Sequence, residues 1–321
     1  MILTVTINPL LERRLTYNSV ETGKSNRTDK EYFTAGGKGI NVSRQLNSLG
    51  IKNLAFTALG GNNGKIYKNL LANEKLEFTF LQTKHETRTA ALIVEEDNKR
   101  LTTYFGPNSL LEINEVEEFK QRMKKMIENC EIVVFAGSSP CEAADDIFPF
   151  GIRTANEYDK ISICDTYGKH LQDCIDACPT ILHNNVNELN ESLGVELNDK
   201  KAKLEFLNSL YKKGIRQAFI TEGAKPVYSG NFDFCYKSIP PEINEVDATG
   251  SGDAFVAGLC YGHVKARTFE EMMRYSIALG ALNASVWEVC KVKNEDAEIM
   301  SEKISVESIG KKMKTLSVDG D

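Results

Sequence analysis

Short apolar runs that stop at polar residues or glycine recur along this chain. Between them lie longer stretches in which apolar side chains return every three to four positions. Residues 2–7 mix apolar and β-branched side chains and stop at Asn8-Pro9, which predicts a strand. The runs 54–59, 132–136, 161–164, 180–182 and 218–221 predict further strands, the last four closing on Gly137-Ser138, Asp165, His183-Asn184-Asn185 and Glu222-Gly223. Helical spacing runs through Leu46 and Leu49 to a stop at Gly50, and again over 115–129, 202–212, 254–261 and 276–284. Strands alternating with helices predict parallel βαβ units. Their carboxyl ends carry the polar and glycine residues, and ligands bind at those ends in open α/β sheets. Two stretches depart from this rhythm. Residues 13–33 are polar, with Thr, Tyr and Val spaced as in exposed strands, and 87–95 with 100–105 reads as a hairpin around Asp97-Asn98. No repeat, low-complexity linker or composition break divides residues 1–321, so one domain is expected, with a frayed tail over 311–321.

Composition narrows the function classes. A chain of 321 residues with 41% hydrophobic and 26% charged positions supports a large globular core. A net charge of −6 argues against nucleic acid as a partner, and the basic patches at 122–125 and 311–314 read as solvated helix faces. No uncharged apolar run approaches the roughly 18 residues of a membrane span, so no membrane partner is expected. Residues 1–6 read as a strand and not a signal peptide. Eight cysteines without a C-x-x-C pair or zinc spacing fit reduced thiols in the cytoplasm.

The glycine-rich segments carry the candidate chemistry. Asp247-Ala248-Thr249-Gly250-Ser251-Gly252-Asp253 precedes a helical run, and its two glycines let several N–H groups converge into an anion site. Asp253 at its end either caps the helix or takes a proton from a hydroxyl attacking the bound anion. Gly36-Gly37-Lys38-Gly39 before another helix either brings the backbone close to a ligand or makes a tight strand-to-helix turn. Gly60-Gly61-Asn62-Asn63-Gly64-Lys65 fails as a phosphate loop, being one residue short with Ile66 in place of Ser or Thr. No dinucleotide fingerprint follows the first strand, and the four histidines form no hydrolase or metal spacing.

Gly36-Gly37-Lys38-Gly39-x-Asn41 and the 247–253 segment together resemble the two signatures of the PfkB (ribokinase-like) carbohydrate kinase family, and the resemblance covers nearly the whole chain. Thr6-Ile7-Asn8-Pro9, Gly60-Gly61-x-x-Gly64, Thr87-Arg88, Gly106-Pro107 and Asp165-Thr166-x-Gly168 resemble its 1-phosphofructokinase/tagatose-6-phosphate kinase branch, and Asn185-x-x-Glu188 matches its N-x-x-E motif. The resemblance implies a three-layer α/β fold with a mostly parallel central sheet, helices on both faces and a small β-sheet lid from about 13–34 and 87–105. It also implies an ATP-dependent, Mg²⁺-requiring sugar kinase. Asp253 would be the base, with the amides of 248–252, Gly250, Ser251 and Gly252 among them, as anion hole. Asn185, Thr221, Gly223, Thr249, Gly250 and Gly252 would hold the nucleotide, Asn283 would line the adenine pocket, and Asn185 and Glu188 would hold Mg²⁺ mainly through water. From residue type alone, Asn185 and Glu188 read as helix caps. Glu12, Gly37, Lys38, Asn41, Arg88 and Ser138 would meet the sugar.

The chain departs from the branch pattern at Glu12, where Asp is usual, and at His183-Asn184, where Lys-Pro is usual and supplies a nucleotide-phosphate charge. Lys38 and Arg88, each alone a plausible solvated charge, together predict an anion site on the acceptor side. The expected acceptor is a ketohexose monophosphate. An unphosphorylated sugar or nucleoside, or a non-catalytic sensor with the same fold, are the alternatives. A homodimer through the lid is also expected.

Overall fold

A computed structural model describes residues 1–309; the tail 311–321 and the basic patch 311–314 lie outside the described residues. In chain order the strands are β1 (Ile2–Thr6), β2 (Leu10–Tyr17), β3 (Lys30–Gly36), β4 (Asn53–Gly60), β5 (Phe78–Thr83), β6 (Thr89–Glu95), β7 (Arg100–Phe105), β8 (Ile132–Gly137), β9 (Ile161–Thr166), β10 (Ile181–Asn185), β11 (Gln217–Thr221), β12 (Val227–Asn231), β13 (Phe234–Ser238) and β14 (Val306–Ser308). The helices are α1 (Lys38–Ser48), α2 (Gly61–Asn73), α3 (Ile113–Glu128), α4 (Ile147–Glu157), α5 (Leu171–Asp176), α6 (Val186–Leu193), α7 (Lys200–Lys213), α8 (Ser251–Val264), α9 (Phe269–Ala284) and α10 (Asn294–Ser301).

Ten strands form one sheet in the order β14-β13-β12-β11-β10-β9-β8-β1-β4-β5. From β11 to β5 every pairing is parallel, whereas β12, β13 and β14 close one edge antiparallel. The parallel strands are buried on both faces, so their residues alternate between two apolar layers. Leu3, Val5, Val133 and Phe135 face the layer of α3, α4 and α7, with Phe119, Phe148 and Leu207. Ile2, Ile132, Val134 and Ala136 face the layer of α1, α8 and α9, with Val42, Val256 and Met273. Each such aliphatic side chain stabilises the fold by about 1.5–3 kcal/mol relative to exposure. Helix α8 is apolar around its whole circumference and buried from Asp253 to Gly262, as expected of a helix at the centre of a layer. It packs on α1, α9 and β10.

The second sheet has the order β3-β2-β6-β7, with β2 and β6 parallel and the outer pairs antiparallel. It is the expected lid, but β2 starts at Leu10 and ends at Tyr17, leaving 18–29 without regular structure up to β3. The alternation was disguised because charged side chains occupy inward positions of β2: Arg14 is 3% exposed and pairs with Asp247 at 3.5 Å. The antiparallel edge strands β12 and β13 have no clear mark in the sequence, since Ser229 and Gly230 interrupt β12 and Lys237 and Ser238 end β13. Among the described residues no helix is long and apolar enough to cross a membrane.

Candidate active site

The strand order reverses at β1, which has β4 on one side and β8 on the other. Such a switch point opens a crevice at the carboxyl ends of the strands. A cleft of ≈ 600 Å³ lies there. Its walls are Asn8 after β1, Gly137 and Ser138 after β8, and His183, Asn185, Thr221 and Gly223 at the ends of β10 and β11. Gly37 and Lys38 open α1 into it, Arg88 and Phe105 reach in from the lid, and residues 248–253 form its floor at the start of α8.

That floor has the glycine turn and helix start that an anion site requires. Gly250, at φ +79°, is the N-cap of α8, which has no side-chain cap; the Ser251 N–H donates to the Ala248 carbonyl at 3.1 Å, and the Gly252 N–H points to where a ligand could accept. A side chain at Gly250 would also strike Val289, 2.4 Å from the Cβ position. Asp247 fixes the loop by accepting from the Thr249 N–H at 2.9 Å. Asn283 fixes it from below, donating to the Thr249 carbonyl at 2.8 Å and the Ser251 hydroxyl at 3.2 Å while accepting from the Cys290 N–H at 2.7 Å. Asn283, expected at an adenine pocket, is buried under the loop and is not among the residues lining the cleft. The face of α9 that does line the cleft carries Ile277, Gly280, Ala281 and Ala284.

Asp253 lies three residues past the cap, in the first turn of α8 and 4% exposed, so it is not the N-cap. Its Oδ2 accepts from Asn41 Nδ2 at 2.7 Å. Burial pushes its carboxyl up to about 7; Lys38 and the Asn41 hydrogen bond oppose this, and the charges of Asp165 and Glu188 add to it. A carboxyl poised near neutrality beside an anion site can accept a proton from a hydroxyl.

Across the cleft, Lys38 Nζ donates to Glu188 Oε1 at 2.6 Å and to Asp165 Oδ1 at 3.1 Å, and lies 5.2 Å from the Tyr167 ring centre. Burial works against its charge, but Asp165, Glu188 and Asp253 outweigh it and hold the ammonium well above its usual range. Asp165 also meets His183 Nδ1 at 3.1 Å, and the His183 ring stacks on Phe255 and meets the Thr221 hydroxyl at 3.3 Å through Nε2. Burial would raise the Asp165 carboxyl, yet Lys38 and His183 hold it down at about 2. Asn185 and Glu188 form a capping box at the start of α6, so both are structural caps, while Glu188 keeps Oε1 toward the cleft. Among the described residues no group of three or more His, Cys, Asp or Glu could hold a metal. A single carboxylate beside an amide nevertheless fits Mg²⁺, which keeps most of its waters and shares phosphate oxygens.

At the acceptor end, Arg88 donates through Nη2 to the Asn8 carbonyl at 3.0 Å, through Nε to the Pro9 carbonyl at 3.3 Å and through Nη1 to Asn108 Oδ1 at 3.3 Å. Asn8 Nδ2 donates to the Ser138 hydroxyl at 3.0 Å and to Asn108 Oδ1 at 3.2 Å. Glu12 does not line this cleft. It accepts from the Thr34 hydroxyl at 2.9 Å and faces a neighbouring cavity of ≈ 270 Å³ with Arg14, Arg44 and Trp287. Its carboxyl is pushed up by burial. Asn41 lines that neighbouring cavity and reaches Asp253 across the wall between the two. Asn8, Asp165 and His183 were not among the expected site residues, although each sits at or just past the carboxyl end of a parallel strand; Asn185 and Thr221 were expected there from the family resemblance.

Comparison with known proteins follows the same lines. The profile described as pfkB family carbohydrate kinase matches residues 10–293. A tagatose-6-phosphate kinase of Staphylococcus epidermidis is 30% identical over 287 residues, spanning 88% of this chain and 92% of the relative. A solved structure of a possible 1-phosphofructokinase from Thermotoga maritima superposes with a TM-score of 0.87 at 25% identity, over 96% of this chain and 99% of that one. The tetrameric inhibited form of phosphofructokinase-2 from Escherichia coli, at 21% identity, shares the fold with a TM-score of 0.86 over 94% of this chain and 98% of its own.

Proposed function

Because the chain belongs to the pfkB family of carbohydrate kinases, we propose that it transfers the γ-phosphoryl group of ATP to a free hydroxyl of a ketohexose monophosphate, giving a bisphosphate. The observation that carries this reading is Asp253, a buried carboxyl held near neutrality at the mouth of an anion site. In this reading Asp253 takes the acceptor's hydroxyl proton as the oxygen attacks phosphorus. The amides of Gly250 and Gly252 meet the charge on the transferring group, while the Ser251 N–H donates to the Ala248 carbonyl at 3.1 Å and holds the turn. Asn41 keeps the carboxylate aimed. Thr221 and Gly223 flank the nucleotide's phosphates, the apolar face of α9 receives its base, and Arg88 with Ser138 holds the acceptor. Asn185 and Glu188 would hold Mg²⁺ largely through water, and the ion would supply charge neutralisation between the phosphates.

One observation favours a second reading, an unphosphorylated acceptor. Lys38 is turned to Asp165 and Glu188, which among the described residues lining the cleft leaves Arg88 as the arginine or lysine at the acceptor end. A coupled ADP-release assay across fructose 1-phosphate, tagatose 6-phosphate, fructose 6-phosphate, ribose and adenosine separates the two. The proposal expects the highest kcat/KM for a ketohexose monophosphate, and a preference for ribose or adenosine overturns it.

The assembly is part of the proposal. The outer face of the lid sets Phe33 beside Arg13, Ala91 and Tyr104 in one cross-strand row, with Phe33 40% and Tyr104 63% exposed. An exposed apolar sheet face of this kind suits a second copy of the chain, making a homodimer. Sedimentation at micromolar concentration should give twice the monomer mass, and Tyr104→Asp should halve it. The eight cysteines, all free thiols, fit a cytoplasmic location.

A further inference from the structure

Lys38 is the first residue of α1, where the helix dipole disfavours a cation. Its position is therefore set by the groups it reaches, and those lie toward β9 and α6, away from Arg88. Glu188 Oε1 accepts from Nζ at 2.6 Å and Asp165 Oδ1 at 3.1 Å. Asp165 has a second partner in His183, whereas the other oxygen of Glu188 is spent on its own helix cap. Lys38 is thus the cation that neutralises Glu188. Its side chain is 22% exposed and lines the cleft, so its flexible stem has room to turn.

Glu188 is also the carboxylate assigned above to the divalent ion, and this inference rests on that reading. An ammonium at 2.6 Å and a hydrated dication cannot share Oε1 without strong repulsion. At the same end of the cleft, the lining residues His183, Asn185, Thr221 and Gly223 carry no permanent positive charge. We propose that Lys38 is an exchangeable counter-ion. It neutralises Glu188 and Asp165 while the cleft is free of metal and nucleotide, yields Glu188 to the divalent ion, and then sets its ammonium on the transferring phosphoryl group. Lys38 is in this account a catalytic residue of the nucleotide side and not an anchor for the acceptor's phosphate.

Exchange has signatures that a structural bridge lacks. Removing Lys38 leaves Glu188 open, so Lys38→Met without nucleotide should bind Mn²⁺ about tenfold more tightly than wild type, read from loss of the free-ion electron paramagnetic signal. The gain should vanish in Lys38→Met/Glu188→Gln. Conversely, Glu188→Gln unties Lys38, so calorimetry in EDTA should show the ATP analogue AMP-PNP binding about threefold more tightly than to wild type. In turnover, Lys38→Met should lower kcat while the acceptor KM stays within about twofold. Mn²⁺ affinity unchanged or weakened in Lys38→Met, or no gain for metal-free AMP-PNP in Glu188→Gln, overturns the inference. If Lys38→Met does not fold, the Glu188→Gln measurement decides alone. Wild type that binds no AMP-PNP even with Mg²⁺ refutes the kinase reading itself. Normal AMP-PNP binding without these shifts refutes the exchange alone.

Discussion

Replacing Asp253 by Asn should cost activity and gain stability, in opposite directions set by one cause. The carboxyl is 4% exposed and held at about 7, against an ordinary value of 3.8. A carboxyl raised on folding favours the folded state below its unfolded value and loses that advantage as pH rises. Here the loss runs from about pH 4 to about pH 7 and levels off above that. The difference between 3.8 and about 7 corresponds to an upper bound of about 4 kcal/mol, at about 1.4 kcal/mol per tenfold. Asn removes the charge, keeps the shape and can still accept from Asn41. Urea unfolding should therefore find Asp253→Asn more stable than wild type by about 1–4 kcal/mol at pH 8, the gap narrowing by pH 5. Turnover should fall by about 10²–10⁴, as for loss of a general base. Wild-type kcat/KM should fall below pH 7 toward one tenth of its plateau near pH 6, because only the carboxylate accepts a proton. Near wild-type turnover in the variant would remove Asp253 from the chemistry. A variant less stable at pH 8 than wild type would show that the carboxylate is not under strain.

Three further outcomes test other parts of the site. Arg88→Ala should raise the acceptor KM about tenfold to a hundredfold, the worth of a charge-assisted hydrogen bond of about 1.5–3 kcal/mol, and leave the ATP KM within about twofold; steady-state kinetics with both substrates varied checks it. Glu188→Gln should raise the Mg²⁺ concentration for half-maximal rate about tenfold, read from a metal titration at saturating ATP. Asn283→Ala removes the bonds to Thr249, Ser251 and Cys290, so it should cost about 1–3 kcal/mol in unfolding and lower kcat without altering preference among nucleotide bases.

Much of the cleft was legible because strand direction and glycine spacing are local properties. A polar residue closing an apolar run marks the carboxyl end of a strand, and parallel strands bring such ends to one edge. Asn185, Thr221 and Ser138 meet there although far apart in the chain. The same rule marks Asn8, Asp165 and His183, near which the apolar runs 2–7, 161–164 and 180–182 close. The lid strands were legible in outline only, since Glu12 and Arg14 carry charge on the inward face of β2 and break the alternation that marks a half-buried strand.

Side-chain direction is not a local property, and there the sequence is a poorer guide. Asn283 shares α9 with Ile277, Gly280, Ala281 and Ala284, whose three- and four-residue spacing defines the cleft face. Position 283 falls off that face, so helical periodicity alone would have turned it from the adenine pocket toward the loop it supports. Lys38 has no such internal guide. Four rotatable bonds let its ammonium reach either end of the cleft, and the choice is made by Asp165 and Glu188, 127 and 150 residues away in the chain. Its glycine-rich neighbours identify a ligand site but say nothing about which ligand the ammonium meets. Asp253 escaped this ambiguity because its stem is short. With the backbone of α8 fixed by Gly250 and the Asp247 turn, one methylene carries the carboxylate to Asn41, the asparagine of the other glycine motif, so the two motifs legible in the sequence converge on a single hydrogen bond.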